Sequence, residues 1–419
     1  MRTLFVHQNF PGQFIHLVRH LLADGRHEIV FITEDNANVI PGVRKVTYRL
    51  PPPRPDAPTN SPALELDTAF VRAAAVADIA HKLKALGFYP DIVIGHQGWG
   101  EMLDLVDVWP GVPTLGYYEF FYRTDGLDVG FDPEFPLPLA AHSRVRAKNA
   151  INLLALANPG WGQTPTRFQH RTYPDWAQRR IAILPEGVDL DRCRPDPARA
   201  QAELHINQLH VAQLRIAPGD TLLTYVARDL EPYRGFHILM RAIPALLAAR
   251  PDLKIVIVGG DGVSYGARLA GTTWREFMLA QIGPLDPARV AFPGKIDYAS
   301  YLALLQRSTV HAYLTYPFVA SWSLREAIAC GCAIVASDTA PVREFLEHDA
   351  TALLTPFLDP AALADAILTL LADRPRRTRL ATAARAYAER HLRLDTYLAH
   401  YLDLIAKVRA TPTFHSPNS

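Results

Sequence analysis

The feature that most constrains the fold is an alternation of short apolar, β-rich runs with longer segments of helical periodicity, almost from end to end. This pattern is typical of parallel sheets whose strands are joined by right-handed helical crossovers. In the first half we predict strands at residues 3–6, 29–32, 91–95, 114–117 and 181–185. We predict helices between them at 13–23, 68–86 and 140–157, and a Pro-rich surface loop at 50–62.

The alternation begins again in the second half, where strands are predicted at residues 222–226, 254–258, 290–292, 310–314 and 333–336. A chain of 419 residues also exceeds what one hydrophobic core usually organises. We therefore predict an α/β protein of two doubly wound, Rossmann-like domains that face each other across a cleft. The domains are expected at 1–212 and 213–392, with a boundary in the polar stretch 205–220, followed by a helix at 393–410 and a tail at 411–419.

Composition excludes several classes of protein. The chain carries a formal net charge of +1, so it lacks the global attraction on which nucleic-acid binders rely, and we expect no nucleic-acid partner. The three cysteines, Cys193, Cys330 and Cys332, are too few for a disulfide framework, and we interpret them as core residues in a reducing cytoplasm. No signal peptide and no spanning apolar run is recognised.

Three loops that follow predicted strands carry the candidate chemistry, because ligands bind where such strands end. After the first strand, Gly12 precedes a helix whose free N–H groups favour an anion. After the first strand of the second half, Arg228 and Arg234 stand six residues apart and are suited to grip a diphosphate from two sides. The next strand ends at Gly260, in a Gly-rich loop without the spacing of a dinucleotide fingerprint.

The third loop lies between residues 316 and 326. Ser321 or Ser323 is predicted to cap a helix, which creates a second site for an anion. Glu326 lies one turn inside that helix, and its carboxylate is suited to accept hydrogen bonds from paired sugar hydroxyls.

These motifs resemble those of the retaining GT-B glycosyltransferases of family 4. Arg228 with Arg234-Gly235 resembles the family's diphosphate clamp, and Glu326-Ala327 followed by Cys330-Gly331 is similar to its donor-site helix. Gly187-Val188-Asp189 resembles the Gly-Val-Asp near the end of the first domain. The segment 392–405 is similar to the family's last helix, which crosses back to the first domain.

The resemblance implies a nucleotide diphosphate-sugar as co-substrate, with no further cofactor. It implies an acceptor-side first domain and a donor-binding second domain, with retention of anomeric configuration. The catalytic residues expected on this basis are Arg228, Arg234 and Glu119. The donor-binding residues expected are Gly12, Arg228, Arg234, Gly260, Lys295, Ser321, Trp322, Ser323 and Glu326. No Asp-x-Asp stands directly after a predicted strand, so no essential metal is expected.

Three positions depart from the family pattern. Phe318 stands eight residues before Glu326, where the family usually has a carboxylate that touches the donor sugar. Arg234 replaces the clamp lysine, which keeps the charge and changes the geometry. Many members have a histidine after the fourth strand; the fourth predicted strand here is followed by Tyr118-Glu119-Phe120, so Glu119 is the nearest candidate.

Several alternatives stay open. A nucleotide-sugar-binding protein without turnover, a nucleotide-sugar epimerase and a phosphorylase would share the fold. The acceptor is unidentified: a polysaccharide, a lipid carrier, a small molecule and a protein are all compatible, as are uridine and guanosine nucleotides. The basic stretch 143–148 is either a solvated helix face or a peripheral contact with the inner face of the membrane.

Overall fold

The computed structural model describes residues 1–50, 63–204 and 214–411. The Pro-rich loop predicted at 50–62 and much of the boundary stretch predicted at 205–220 therefore lie outside the described residues. The chain divides into two compact units: the first comprises Met1–Glu186 with Leu394–Ser419, and the second comprises Gly187–Arg393.

The first unit is built on a parallel sheet of seven strands in the order β3-β2-β1-β4-β5-β6-β7. The strands are β1 (Arg2–Val6), β2 (Glu28–Glu34), β3 (Arg44–Tyr48), β4 (Ile92–His96), β5 (Thr114–Tyr117), β6 (Trp161–Thr164) and β7 (Ile181–Ile183). The helices of this unit are α1 (Ile15–Asp24), α2 (Leu64–Ala85), α3 (Leu105–Val108), α4 (His142–Ala157), α5 (Arg167–Thr172), α6 (Asp175–Gln178) and the last helix, α15 (Leu394–Ala410).

Helices cover both faces of this sheet. Phe5 and Phe31 pack with α1 and α15 on one face. Their strand neighbours Leu4 and Val30 pack with α2 on the other face. Because alternate residues of one strand enter different cores, these strands contain uninterrupted apolar runs, Leu4–Val6 and Ile29–Ile32.

The second unit repeats this design around six parallel strands in the order β10-β9-β8-β11-β12-β13. The strands are β8 (Thr221–Asp229), β9 (Leu253–Gly260), β10 (Val290–Gly294), β11 (Val310–Tyr313), β12 (Ile334–Ser337) and β13 (Leu353–Thr355). The helices are α7 (Pro197–Ala200), α8 (Phe236–Ala249), α9 (Trp274–Ile282), α10 (Tyr298–Arg307), α11 (Trp322–Ala329), α12 (Ala340–Arg343), α13 (Pro360–Ala372) and α14 (Arg374–His391). The predicted class, α/β with two doubly wound domains, is confirmed.

The structure contains three strands that the sequence did not predict, β3, β6 and β13. All are short, and β3 is an edge strand with only one buried residue. The division between the units also falls earlier than the expected boundary at residue 212, since Val188 and Cys193 lie in the core of the second unit. The last helix, expected at 393–410, begins at Leu394 and groups with the first unit.

The loop after β4 depends on a glycine. Gly100 has φ +100°, and a Cβ there would lie 2.3 Å from the carbonyl oxygen of Ala69 in α2. We expect Gly100→Ala to lower the free energy of unfolding by more than about 2 kcal/mol, because backbone strain and a steric clash add. Urea unfolding followed by tryptophan fluorescence measures the loss.

Gly87→Ala is the matched control for this prediction. Gly87 has φ +83°, and a Cβ there would have no neighbouring atom within 4 Å, so only the strain, about 1 kcal/mol, applies. Equal losses in the two variants would contradict the role given to the contact with Ala69.

Candidate functional site

The chain order of the strands reverses once in each sheet, beside β1 in the first unit and beside β8 in the second. At such a switch point the loops after two neighbouring strands diverge to opposite faces and leave a crevice in which ligands bind. In the first unit the loops after β1 and β4 flank the crevice. In the second unit the loops after β8 and β11 do so.

Beside β1, the first switch point holds His7 and Gly12. His7 is buried, and its Nδ1 accepts a hydrogen bond from the backbone N–H of Asn9 at 2.8 Å. Gly12 has φ +55°, and a Cβ there would lie 2.9 Å from the imidazole ring of His7. The nearby imidazole ring and the positive φ together explain why residue 12 is a glycine. Its predicted contact with the donor stays a prediction.

His96 is the last residue of β4 and stands on the other side of this switch point. Its ring lies 5.3 Å from that of His7 and stacks on Tyr117 with centroids 5.5 Å apart. Its Nδ1 accepts a hydrogen bond from the backbone N–H of Gly98 at 2.9 Å. A neutral imidazole in this position carries its proton on Nε2.

The Nε2 atom of His96 faces Glu119, whose Oε2 lies 3.6 Å away. Glu119 follows β5 in the sequence, and its own carbonyl oxygen accepts a hydrogen bond from Gln169. The predicted catalytic residue Glu119 therefore stands beside an imidazole N–H at the carboxyl edge of the sheet. Its catalytic role stays a prediction.

The expectation that the fourth strand ends near Tyr118 is wrong, because β3 precedes it and makes Ile92–His96 the fourth strand. A histidine does end that strand, namely His96. The signal that would have found it is the run Val46-Thr47-Tyr48, β-branched and aromatic, between Pro41-Gly42 and a triple proline. With β3 counted, His96 is nearer than Glu119 to the place of the family's histidine.

The loop after β5 is organised by Asp128, a fully buried residue. Its Oδ1 accepts a hydrogen bond from the backbone N–H of Arg123 at 2.9 Å. Burial raises the pKa of Asp128 to about 7, although hydrogen bonds from backbone N–H groups oppose the shift. The carboxyl group is thus a pH-sensitive support for the segment between Glu119 and α4.

In the second unit, Arg228 is exposed near the carboxyl end of β8. The next residue, Asp229, is buried and pairs with the Nζ of Lys295 at 3.0 Å. Burial opposes ionisation of Asp229, but hydrogen bonds from Ser264 and Lys295 outweigh it and lower its pKa. A Cβ on Gly260 would lie 2.5 Å from the Cε of Lys295, so the lysine stem fills the space beside this glycine.

Arg234 is placed differently from Arg228. It is buried, and its Nη1 donates to Thr315 Oγ1 at 2.9 Å and to the carbonyl oxygen of Val319 at 2.8 Å. Its guanidinium also lies 5.0 Å from the centre of the Tyr265 ring. In this conformation Arg234 holds the loop after β11. Its predicted grip on a diphosphate stays a prediction.

Phe318, the residue that stands where the family has a carboxylate, is completely buried. Its ring centre lies 4.8 Å from that of Tyr265 and 5.6 Å from that of Tyr233. The rings of Tyr233, Tyr265 and Phe318 therefore form an aromatic cluster that anchors the loop after β11, and the Arg234 guanidinium lies against this cluster.

Ser321 occupies the N-cap position of α11, as predicted for this helix, but its side chain caps no backbone N–H. Its hydroxyl is 2.6 Å from that of Ser323 and 3.2 Å from the hydroxyl of Tyr313. Trp322, the first residue of α11, is half-buried. The contacts of Ser321, Trp322 and Ser323 with a donor stay predictions.

Glu326 lies in α11 with both carboxylate oxygens engaged. Tyr298 donates to Oε1 and Tyr301 donates to Oε2, each at 2.7 Å. Burial raises the pKa of Glu326, while these two hydroxyls oppose the shift. Each oxygen keeps a second lone pair, so the carboxylate can accept two further hydrogen bonds in a fixed orientation. Sequence reasoning missed this tyrosine pair, although Asp297, a typical N-cap residue, marks the start of α10.

Other predicted features are also located. The three cysteines are free and buried, in agreement with their interpretation as core residues. Within the basic stretch, Arg144 pairs with Glu65 at 3.2 Å, and the Nζ of Lys148 lies 4.1 Å from the centre of the Tyr122 ring. Among the described helices, none has the length and apolar character needed to span a bilayer.

Comparison with known families agrees with the fold and the motifs. A model described as glycosyl transferase family 4 group matches residues 25–193, and a model described as glycosyl transferases group 1 matches residues 207–387. The chain belongs to glycosyltransferase family 4 and has the GT-B fold.

Two curated relatives illustrate the similarity. The chain is 30% identical over 212 residues to a D-inositol 3-phosphate glycosyltransferase of Nocardia farcinica, covering 50% of this chain and 44% of that protein. It is 29% identical over 314 residues to a GDP-mannose-dependent alpha-(1-6)-phosphatidylinositol monomannoside mannosyltransferase of Mycobacterium tuberculosis. This match covers 73% of this chain and 74% of that protein. The match spans 43% to 62% of four D-inositol 3-phosphate glycosyltransferases, about half their length.

Solved structures share the fold over almost the whole chain. Sucrose-phosphate synthase from Thermosynechococcus elongatus superposes with a TM-score of 0.71 at 19% identity and covers 98% of this chain and 99% of its own. The Anabaena protein HepE in complex with UDP-glucose superposes with a TM-score of 0.66 at 16% identity and covers 97% and 100%.

The buried carboxyl group of Asp128 leads to a prediction about how the stability of the protein depends on pH. Because its pKa in the folded protein, about 7, exceeds the unfolded value, the folded state binds the extra proton. Its contribution to stability is greatest at low pH, falls as the pH rises towards 7, and is constant above that, with a slope of up to about 1.4 kcal/mol per pH unit. Urea unfolding at pH 5, 6 and 7 should show this slope in the wild type and lose it in Asp128→Asn.

Asp125→Asn controls for the loop itself. Asp125 lies in the same loop, and a hydrogen bond from Arg123 lowers its pKa, so it does not titrate between pH 5 and 7. The difference between wild type and Asp125→Asn should therefore stay constant over this range. A pH-independent difference between wild type and Asp128→Asn would refute the assignment.

Proposed function

We propose that this protein is a retaining, metal-independent glycosyltransferase that moves a hexosyl group from a UDP- or GDP-sugar to an acceptor hydroxyl. The observation that carries the proposal is the placement of polar side chains at both switch points. His96 and Glu119 stand at the first, and Arg228 and the start of α11 stand at the second.

In this proposal the second unit binds the donor. Arg228 is exposed at the end of β8 and neutralises the diphosphate, assisted by the free N–H groups at the start of α11. Glu326, oriented by Tyr298 and Tyr301, accepts hydrogen bonds from the ribose hydroxyls. The cation and the helix terminus then stabilise the charge that develops on the leaving diphosphate.

The first unit supplies His96 and Glu119. His96 presents an Nε2–H, because its Nδ1 is occupied by the N–H of Gly98. In this proposal the N–H donates to a hydroxyl of the substrate and fixes its position, and Glu119 adds a carboxylate beside it. Retention of configuration is carried over from the family resemblance, and independence from metal is proposed because no Asp-x-Asp stands directly after a predicted strand.

The names of related proteins support a nucleotide-sugar donor without deciding its base. HepE is described in complex with UDP-glucose, and the Mycobacterium tuberculosis relative is described as GDP-mannose-dependent. We extend this to the present chain as a UDP- or GDP-sugar and place the reaction in the cytoplasm, at the membrane's inner face if the acceptor is lipid-linked.

A second candidate function is donor binding without turnover. Phe318 favours it, because the chain lacks a carboxylate at this position and fills the place with a buried aromatic ring. His96, at the end of the fourth strand, supports turnover instead, because many members of the family have a histidine after this strand.

The donor site makes the first functional prediction. We expect a UDP- or GDP-sugar to raise the melting temperature of the wild type and to be hydrolysed slowly in EDTA. Arg228→Met and Glu326→Gln should each weaken binding of the free nucleotide about tenfold to a hundredfold, because each loses a charged hydrogen-bonding group. Isothermal titration calorimetry measures this loss.

Matched controls make the same chemical changes elsewhere in the second unit. Arg250→Met changes an arginine that pairs with Asp252 between α8 and β9, at the opposite edge of the sheet. Glu389→Gln changes an exposed glutamate on α14. Both should bind like the wild type; absence of binding by every nucleotide would remove the donor-site assignment and the proposed function with it.

His96 makes the second functional prediction. His96→Asn should reduce donor hydrolysis and transfer by about a hundredfold or more, since a positioned hydrogen-bond donor is lost. Nucleotide affinity should stay at the wild-type value, because the proposed nucleotide contacts lie in the second unit. His81→Asn, on an exposed position of α2, should change neither quantity. Full turnover by His96→Asn would exclude the role given to this residue.

A further inference from the structure

Four polar side chains of the first unit meet near the carboxyl ends of β2 and β3, and we call them the polar cluster: Glu34, Tyr48, Arg72 and Glu101. Glu34 and Tyr48 are register partners on adjacent strands, so their side chains leave the same face of the sheet. Nη2 of Arg72, on α2, lies 4.0 Å from Oε2 of Glu34. The Tyr48 hydroxyl donates to Oε1 of Glu101 at 2.9 Å.

The close approach of the loop after β4 to α2 completes the polar cluster. Because Gly100 has no side chain, its backbone sits against Ala69. Arg72 lies three residues after Ala69 and therefore on the same face of the helix. Glu101, the residue after Gly100, is thereby brought to the side of α2 that carries Arg72.

Two atoms of the polar cluster are buried without a hydrogen-bond partner among the described residues. They are Oε2 of Glu101, a residue with only 1% of its surface exposed, and Nε of Arg72. Burying a charged or polar group without a partner is costly, so each such atom calls for an explanation. One open acceptor and one open donor match a hydroxyl group, which both donates and accepts.

The polar cluster lies at the same edge of the sheet as His96. Only β1 separates β2 from β4, so Glu34 and His96 stand about two strand spacings, roughly 10 Å, apart. This is the scale of one or two sugar rings. A ligand whose hydroxyl reacts beside His96 can therefore place another part in the polar cluster.

The charges of the polar cluster also indicate whether its ligand is neutral or charged. The Arg72 guanidinium stands with two carboxyl groups, those of Glu34 and Glu101. Burial raises the pKa of Glu101, so this carboxyl group ionises less readily than an exposed one, while the Glu34 carboxylate lies 4.0 Å from the arginine. A phosphate in this place would face the Glu34 carboxylate, whereas neutral hydroxyl groups would not be repelled.

We propose that the polar cluster is a subsite for a neutral, polyhydroxylated ring of the acceptor, a sugar or a cyclitol, with Glu101 and Arg72 binding its hydroxyl groups. The proposal rests on the proposed glycosyltransferase function. It assigns acceptor selectivity to residues of the first unit that take no part in donor binding.

The experiment compares neutral polyols with their phosphomonoesters. The neutral probes are methyl mannoside, methyl glucoside and myo-inositol; the anionic probes are mannose 6-phosphate, glucose 6-phosphate and inositol 3-phosphate. Binding to the full chain is followed by saturation-transfer NMR, and transfer is followed with a labelled UDP- or GDP-sugar. The variants are Arg72→Met and Glu101→Gln, the second of which still accepts the hydrogen bond from Tyr48.

We expect the wild type to bind and use at least one neutral probe in preference to its phosphomonoester. Each variant should raise the KM for that probe about tenfold or more, because a hydrogen bond to a charged or buried group is lost. Donor hydrolysis by water should stay unchanged. Arg26→Met and Glu28→Gln, exposed positions at the opposite edge of the sheet, should leave both quantities unchanged.

Every other outcome contradicts a stated part of the proposal. A wild-type preference for the phosphomonoesters, or no binding of any neutral probe, overturns the assignment of ligand class. Unchanged KM in both variants overturns the subsite and leaves water as the partner of the open atoms. If the wild type hydrolyses no donor, the proposed function fails, while the NMR comparison of wild type and variants still tests the subsite by itself.

Discussion

The reversal of strand order beside β1 and β8 is the constraint on which the rest of this structure depends. Right-handed crossovers place successive helices on one face of a parallel sheet, and only a change of direction allows both faces to be covered. The same reversal separates two neighbouring loops and opens a crevice at the carboxyl edge. In each unit, the reversal of strand order thus both completes the hydrophobic core and creates the crevice in which a ligand can bind.

Buried carboxyl groups then fix the loops at these edges. Glu231 is fully buried and accepts hydrogen bonds from the backbone N–H groups of Ser264, Tyr265 and Gly266. Asp128 does the same for the loop after β5, and Glu101 is tied to Tyr48 at the end of β3. In loops without regular structure, many backbone N–H groups have no carbonyl partner. A carboxylate that accepts hydrogen bonds from several of these N–H groups takes the place of the missing backbone hydrogen bonds. The loops can therefore hold functional side chains in fixed positions.

The sequence predicts the strands that are buried on both faces, because an uninterrupted apolar run such as Ile29–Ile32 leaves few alternatives. It does not predict β3, whose residues are mostly half-exposed, and this omission concealed the position of His96. Residue types after the first strand of the second half grouped Arg228 with Arg234 as a diphosphate clamp, and Arg228 is exposed. They did not distinguish it from Arg234, because burial of a side chain depends on the loop after β11, which is distant in the sequence.

The substitution at Phe318 and the burial of Arg234 are physically connected. A carboxylate at position 318 would be completely buried beside the guanidinium, whereas phenylalanine packs on Tyr265, whose ring also faces Arg234. With an aromatic neighbour, Arg234 satisfies its donors on Thr315 and Val319, within the protein itself. The loop after β11 is then held by a cation and aromatic rings. Under the proposed function, specificity for the sugar would accordingly rest on the shape of this loop more than on a charged contact, because position 318 carries phenylalanine and not an acidic residue.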